Sequence, residues 1–530
     1  MSNHKPEMKT CSKTQCIETG APANPPAIES QTFAYPEDRK MGTFGAVFFL
    51  VNMMIGTGIF STPSLVFDST RSVGASLMLW LVGGILALCG LSIYLEFGLA
   101  IPRSGAEKNY LERAYPRPRY LASCMLAIQT VLLGISSANC LSFGRYALSA
   151  AGRQSDGWQS RGIAVSSVTF AVIMHAVIPK WGLRVINLLG VLKVVSLLLI
   201  IFSGFAALAG HRHVPDPHNF DNSFQTSPDQ DSTDAGSRVY PYCNAMLSII
   251  YSYQGWTGAN GIIGELKNPR RTLLVAVPLS VVSVTILYLL ANIAYFAAVP
   301  KQDIAKSEVL LAATFFRNVF GNVAGTHVLP VFVMLSNLGN IIAAALYYSR
   351  IIQELAKEGL LPFSFFWASN KPFNTPAASL SLHWTATVLV LVAVPMGPAY
   401  TLVVNLYTYA YGWLQVSVII GLLWLQFRKS EKWTSPWHTP LLVSIIYLLS
   451  NLFTIIVPLV PPKGKWNSNG YPYYVYPFVG IGMLFLGVIY WAFWFKILAY
   501  FGFQNLVTER TYTDTGAEVV RYRKVAAKRQ

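Results

Sequence analysis

The sequence predicts an all-helical membrane protein, with twelve spanning helices in two successive blocks of five and a final pair. Three observations predict it. Over half of the 530 residues (53%) are hydrophobic and only 12% are charged. That is more apolar surface than one soluble core can use, so lipid must cover the remainder. Apolar stretches of about 20 residues, each able to cross about 30 Å of hydrocarbon as a helix, recur along the chain. The first and sixth stretches, which open the two blocks, are interrupted at matching places, by Ile55-Gly56-Thr57-Gly58-Ile59-Phe60 and Tyr253-Gln254-Gly255-Trp256-Thr257-Gly258.

The first block comprises spans at 43–67, 74–101, 120–150, 161–179 and 184–209, and the second those at 243–264, 273–299, 328–349, 378–396 and 399–427. The appended pair lies at 440–461 and 473–502. The runs at 120–150 and 399–427 are long enough to tilt or to pass the interface. The chain thus divides into a tail (1–42), a first five-helix repeat (43–209), a loop (210–242), a second repeat (243–427), helices 11 and 12 (428–502) and a second tail (503–530).

An even number of spans puts both termini on one side, and most of the 40 Lys and Arg fall on that side. Among them are Arg103, Lys108, Arg113, Arg117 and Arg119 after span two, and Lys267, Arg270 and Arg271 after span six. The positive-inside rule then makes both tails cytosolic and the 210–242 loop external. The formal charge of +16 is therefore a topology signal, and no nucleic-acid partner is expected. The lipid bilayer is the expected surrounding, and attraction to anionic lipid is a second use of the same charges.

The first 40 residues are polar and Pro-rich around Ala21 to Ala27, with no cleavable signal pattern. Lys5, Lys9 and Lys13 offer acceptor amines for ubiquitin, through a ubiquitin-ligase adaptor, although a solvated tail is the stronger reading. Six scattered cysteines show no disulfide or zinc spacing. In the 210–242 loop, His211, His213 and His218 lie among Asp216, Asp221, Asp231 and Asp234, at spacings too irregular for a metal site. No metal or other cofactor is expected.

The chemistry lies in the spans. No Walker-type phosphate loop occurs, and Gly56-Thr57-Gly58 lacks the third glycine and the strand of a dinucleotide site, so enzymatic or ATP-driven function is not expected. A break inside a bilayer frees backbone groups that lipid cannot satisfy, so it persists where protein, water or ligand supplies partners. Unwound backbone at Gly56-Thr57-Gly58 presents N–H groups at the positive end of the following half-helix, which suits a carboxylate. At Gly255 the preceding half-helix leaves carbonyls for an ammonium, with the Thr257 hydroxyl beside them. Together these match the zwitterion of an α-amino acid. Close helix packing is the alternative reading for such glycines, and it suits Gly83-Gly84, Gly204 and Gly421 better than the two breaks.

Lys193 sits deep in span five, where an ammonium costs about 2.5–3.5 kcal/mol even on a lenient insertion scale. Its distance from both ends disfavours snorkelling. Its charge can replace a bound cation, or it can exchange a proton. Glu96 is deep enough to need a partner, and Glu265 is either a gate ion pair or a solvated interface charge. Tyr251 and Trp256 flank the second break and suit lids over a ligand.

These motifs resemble the amino acid-polyamine-organocation superfamily, in particular the L-type amino acid transporters and, within them, the fungal high-affinity methionine permeases. The resemblance rests on Ile55 to Pro63, on Ile101-Pro102-Arg103-Ser104-Gly105-Ala106-Glu107-Lys108-Asn109-Tyr110, on Tyr253 to Thr257 with Glu265-Leu266-Lys267-Asn268-Pro269, and on Ser349-Arg350 with Lys357 to Pro362. It implies the leucine-transporter fold, a 5+5 inverted repeat plus two C-terminal helices, working by alternating access. The implied substrate-binding residues are Ile55, Gly56, Thr57, Gly58 and Ile59 in span one and Tyr251, Ser252, Gly255, Trp256 and Thr257 in span six. Tyr251 takes the place of the aromatic gate, and Thr257 stands where many relatives have Asn. Lys193 matches the family's span-five lysine that bridges span one to span eight, with Ser336 as its span-eight partner. Heteromeric relatives carry a cysteine between spans three and four; residues 151–160 contain none, so no heavy-chain subunit is expected. The expected function is secondary active import of neutral L-amino acids, methionine foremost, by proton symport across the plasma membrane. An amino-acid exchanger and a non-transporting receptor are the alternatives.

Overall fold

The computed structural model describes residues 41–134, 136–153, 157–225, 235–307, 310–321, 324–371, 373–393, 399–460, 472–497, 506–512 and 518–524. The first span is two helices, α1 (Thr43–Met54) and α2 (Thr57–Thr70), followed by α3 (Val73–Ala100) and a short α4 (Glu107–Ala114). Next come α5 (Leu121–Leu133), α6 (Ser137–Ala150), α7 (Trp158–Val177) and α8 (Pro179–Leu208). Span six is α9 (Ala235–Tyr253) and the single turn α10 (Gly258–Gly261), then α11 (Pro269–Ala298), α12 (Lys301–Lys306) and α13 (Leu311–Phe320). The chain continues through α14 (Leu329–Lys357), α15 (Ser364–Ala368), α16 (Ala377–Ala393), α17 (Ala399–Phe427), α18 (Leu441–Ile456) and α19 (Val475–Ala492).

Ten helical spans among the described residues are long and apolar enough to cross a membrane. The two other expected spans are the interrupted α9–α10 and the 17-residue α16. Helix starts follow local chemistry. Pro179 and Pro269 open α8 and α11, where a missing N–H costs nothing, and the Ser72 hydroxyl caps α3 by accepting from Ala75 N–H at 3.3 Å. Two boundaries differ from expectation. α9 begins at Ala235, inside the anticipated loop, and carries Pro241 within it. The anticipated C-terminal tail contains an antiparallel pair, β1 (Leu506–Tyr512) with β2 (Glu518–Lys524), whose second strand lies against α14 and α15. The N-terminal lysines, Cys11, Cys16, Asp231 and Asp234 lie outside the described residues.

Burial separates a core from a rim. In the first span and in the span of α14, 67% of the most apolar window is inside the protein, against 11% for the last span. Leu442 on α18 and Phe478, Phe485 and Ile489 on α19 are exposed, a surface that only lipid can cover in a membrane protein. At the centre, α1 is surrounded by α8, α11 and α14 and touches α10, while α2 packs along α9. The two interrupted spans therefore cross at their breaks. Met41 pairs with the segment after α10, accepting from Lys267 N–H at 3.0 Å and donating to Glu265 O at 2.7 Å. This face, which also holds Ser104 against Gly264 N–H, is here called the tail face.

Candidate functional site

Helix α1 stops because Ile55 turns extended (φ −79°, ψ 95°) and Gly56 follows at φ −128°, ψ −143°. That leaves four carbonyls, of Asn52, Met53, Met54 and Ile55, with no helical donor. All four find side-chain donors on three neighbouring helices. Lys193 Nζ on α8 donates to Asn52 O at 2.9 Å and to Ile55 O. Asn340 Nδ2 on α14 donates to Asn52 O at 3.0 Å and Met53 O at 2.7 Å. Tyr288 OH on α11 lies 2.9 Å from Met54 O and 3.0 Å from Ser252 O at the end of α9. A phenol has one proton, so Tyr288 serves one break at a time or shares between them. The fully buried ammonium of Lys193 thus stands at the negative end of α1, where the helix dipole and two carbonyls favour its charge.

The other side of the first break is joined to the same network. Thr57 N–H donates to Asn139 Oδ1 at 2.9 Å, and Asn139 Nδ2 donates to Asn340 Oδ1 at 3.0 Å. Asn340 therefore links the start of α2, through Asn139, to the end of α1. At the second break Gly255 adopts φ +115°, and a β-carbon there would lie 2.6 Å from Met53 C and 2.7 Å from Met53 O. Only glycine fits both the dihedral and the approach. Gly58 is a different case. It is helical, and its constraint is proximity: an added β-carbon would lie 2.7 Å from Ser252 Cα.

Between the breaks lies a cavity of about 70 Å³ lined by Gly56, Thr57, Gly58, Tyr251, Ser252 and Gly255, with Met53, Asn139, Gln254, Tyr348, Val403 and Tyr407 among the rest of its wall. Its lining carries no charged side chain among the described residues, so ligand charge must be met by helix ends and amides. A second cavity of about 60 Å³ opens beside it, lined by Glu107, Gln129, Thr130, Thr257, Tyr347 and Tyr411. The two share Met53, Gln254, Gly255, Tyr348 and Tyr407 as their dividing wall. Gln254 stands in that wall with both amide atoms buried and without a hydrogen-bond partner among the described residues.

Of the residues expected to bind substrate, Gly56, Thr57, Gly58, Tyr251, Ser252 and Gly255 meet in the central cavity, and Thr257 lines the second. Ile55 and Ile59 are buried and line neither. Trp256 is not a lid over the central cavity. It packs edge-on against Tyr94 at 4.9 Å and, with Gln254, lines a third cavity of about 20 Å³. Ser336 Oγ is buried with no hydrogen-bond partner among the described residues; the α14 side chain that reaches α1 is Asn340, one turn further on. Glu265 forms an ion pair with Arg350 at 2.5 Å on the tail face. Glu96 does have partners: it accepts from Trp433 Nε1 at 2.9 Å, Gln426 Nε2 at 2.8 Å and Thr439 N–H at 2.7 Å, holding the segment before α18.

A third break was not anticipated. The run at 120–150 is divided between α5 and α6, and α16 serves the gap. His383 Nδ1 lies 2.9 Å from Gly134 O, and Ser136 N–H donates to Thr387 Oγ1 at 3.4 Å. This turn brings Ser136, Ala138 and Asn139 into the central cavity wall. Asn139, Gln254, Tyr288 and Asn340 are thus functional candidates that the sequence reading missed. Gln254 was legible, since it stands in the break itself; Tyr288 and Asn340 are single polar residues in continuous helices, and Asn139 follows a break hidden in a long apolar run, so nothing local marks these three.

The profile of a protein family described as amino acid permease matches residues 41–507. The chain belongs to the amino acid permease family. This permease is 37% identical over 493 residues to the high-affinity methionine permease of Saccharomyces cerevisiae, covering 92% of this chain and 84% of the relative. It is 29% identical over 505 residues to that organism's low-affinity methionine permease, covering 94% and 90%. It is 30% identical over 427 residues to the b(0,+)-type amino acid transporter 1 of Mus musculus, covering 80% and 83%. The permease is accordingly a multi-pass membrane transporter in the amino acid class, and not an enzyme.

Proposed function

We propose that this permease imports neutral L-amino acids, methionine foremost, by proton-driven alternating access at the plasma membrane, with both termini cytosolic. Its twelve helical spans are read as the leucine-transporter arrangement, a 5+5 inverted repeat with α18 and α19 appended. The observation that carries the proposal is the uncharged cavity at the crossing of two broken helices. The N–H end of α2 accepts the substrate carboxylate and the carbonyl end of α9 accepts the ammonium, so a zwitterion is matched without a charged side chain. Met53, Val403 and the rings of Tyr251 and Tyr407 then offer a neutral side chain polarizable, apolar contact. Two relatives with methionine in their names favour that substrate.

In this reading Gln254, whose amide has no hydrogen-bond partner among the described residues, turns to the substrate. Gln254→Ala is expected to raise KM about tenfold, equivalent to about 1.4 kcal/mol, with little change in kcat. Tyr251, whose ring meets Tyr407 at 6.3 Å, gates the cavity, and Tyr251→Ala is expected to raise KM or to open a leak. Unchanged kinetics across several amino acids would make Tyr251 a packing residue. Lys193 and Asn340 act in coupling, by tying α1 to α8 and α14. The permease works without a heavy-chain subunit. Uptake of each of the twenty labelled amino acids in a permease-deficient host, with and without an uncoupler, tests the proposal. Uncoupler-sensitive uptake of methionine and its neutral competitors is the expected result. Uncoupler-insensitive counterflow alone would make the protein an exchanger, and binding without uptake a receptor.

A further inference from the structure

The cavities around the second break contain one acidic side chain among the described residues, Glu107, on the tail-face helix α4. It is 4% exposed and lines the cavity that shares the Gln254, Tyr348 and Tyr407 wall with the central one. Its carboxylate accepts from two hydroxyls, Tyr94 OH donating to Oε1 at 2.9 Å and Tyr411 OH at 3.3 Å, and from its own backbone N–H. Gln415 Nε2 donates to Tyr94 OH at 2.9 Å, which commits the single Tyr94 proton to Glu107. No ion pair to Glu107 occurs among the described residues. Its neighbour Lys108 turns away, to Glu358 at 2.8 Å and Glu112 at 3.5 Å.

The other carboxylates near the bundle are accounted for. Glu96 receives three N–H donors away from these cavities, Glu265 pairs with Arg350, and Glu112 shares Lys108 with Glu358. Among the described residues Glu107 alone faces these cavities as a carboxylate, with no ion pair. A buried carboxylate in that position must be neutralised, by a proton or by a cation that enters.

We infer that Glu107 is the proton-binding group of the tail-side cavity and the residue through which the proton is coupled to amino-acid transport. This role rests on the symport reading above. The titratable and charged groups around it are Tyr94 on α3, Tyr110 and Lys108 on its own helix, Tyr347 on α14, Tyr407 and Tyr411 on α17 and Tyr447 on α18. Burial raises the Glu107 carboxyl above its ordinary range, which extends the protonated form toward neutral pH. Lys193 stands apart from this cavity: its Nζ is bonded to two carbonyls at the end of α1, and it lines none of the three cavities. The wall of Gln254, Tyr348 and Tyr407 supplies the physical link. Any movement at the Gly255 turn that opens the central cavity toward the tail face also changes the surroundings of Glu107.

The test uses the whole protein in proteoliposomes, with a trapped pH indicator and labelled methionine, comparing wild type with Glu107→Gln. Wild type is expected to carry protons inward with methionine. Glu107→Gln is expected to lose at least about tenfold of that proton flux and of pH-driven uptake, while keeping methionine counterflow at equal pH. A second variant, Tyr411→Phe, retains the carboxyl and removes one hydroxyl that favours its charged form. Its uptake profile is expected to move toward higher pH, a change that loss of packing alone would not produce. A Glu107→Gln protein with the wild-type ratio of protons to methionine and the wild-type pH profile would overturn the Glu107 assignment and leave symport standing. A raised KM with that ratio unchanged would also overturn it, making Glu107 a contact for the substrate ammonium. Wild type that moves methionine without protons would overturn the symport reading itself.

Discussion

Lys193→Ala is expected to bring methionine uptake to background in a protein that still folds and reaches the membrane. The substitution removes both donors from Ile55 O and Asn52 O, although Asn340 continues to serve the latter. Hydrogen bonds to charged groups contribute about 1.5–3 kcal/mol each, but loss of the buried charge also relieves its desolvation cost. Folding therefore suffers less than function. What is lost is the tie of α8 to the open end of α1 at Ile55, although Asn52 Nδ2 still donates to Ile186 O at 2.6 Å, and with it the coupled movement of that end against its neighbours. Methionine binding is expected to weaken by less than about tenfold, or about 1.4 kcal/mol, since Lys193 does not line the central cavity. Lys193→Gln, which restores a donor without charge, is expected to recover part of the uptake and to keep its dependence on external pH. Paired binding and uptake assays on one preparation check this. Normal uptake in both variants would leave Lys193 a tolerated structural lysine.

Gly58→Val is expected to abolish methionine binding while surface expression persists. The added β-carbon would stand 2.7 Å from Ser252 Cα and 2.8 Å from its Cβ and Oγ, so α2 and α9 must separate where they form the cavity. Overpacking of this kind costs about 1–3 kcal/mol, which a large helical bundle can absorb. The cavity cannot, because the displaced atoms are its wall. Gly58→Ala should give an intermediate loss, since it carries the clash without the branched methyls. Equilibrium binding of labelled methionine to the purified variants decides it, and wild-type affinity in Gly58→Val would remove α2 from the site.

Much of this site was legible because its sequence signals are local. Gly56-Thr57-Gly58 and Gln254-Gly255 interrupt runs that would otherwise be uniformly helical, and Lys193 is a charge where an apolar span needs none. The physical reason given for Gly58 needed revision, from unwinding to close approach, because sequence carries no information on what faces a glycine. The partners of the broken backbone were not legible for the same reason. Asn139 and Asn340 sit 201 residues apart and meet only in the folded bundle. The break between α5 and α6 was hidden inside a long apolar run, since the groups that satisfy it, His383 and Thr387, belong to α16. Trp256 was misplaced because a break in the sequence does not say which neighbour a flanking ring will face, and here that neighbour is Tyr94. The β1–β2 hairpin was read as tail because its residues are charged and short of apolar alternation.

The most direct test of the central claim, that the crossing of the two broken helices is where a neutral amino acid is carried, is saturable uptake of labelled methionine into proteoliposomes holding the wild-type protein or Gly58→Val. Uptake that saturates in wild type, is competed by other neutral L-amino acids and disappears in Gly58→Val is the predicted result. Uptake with the same KM and rate in both proteins would contradict it.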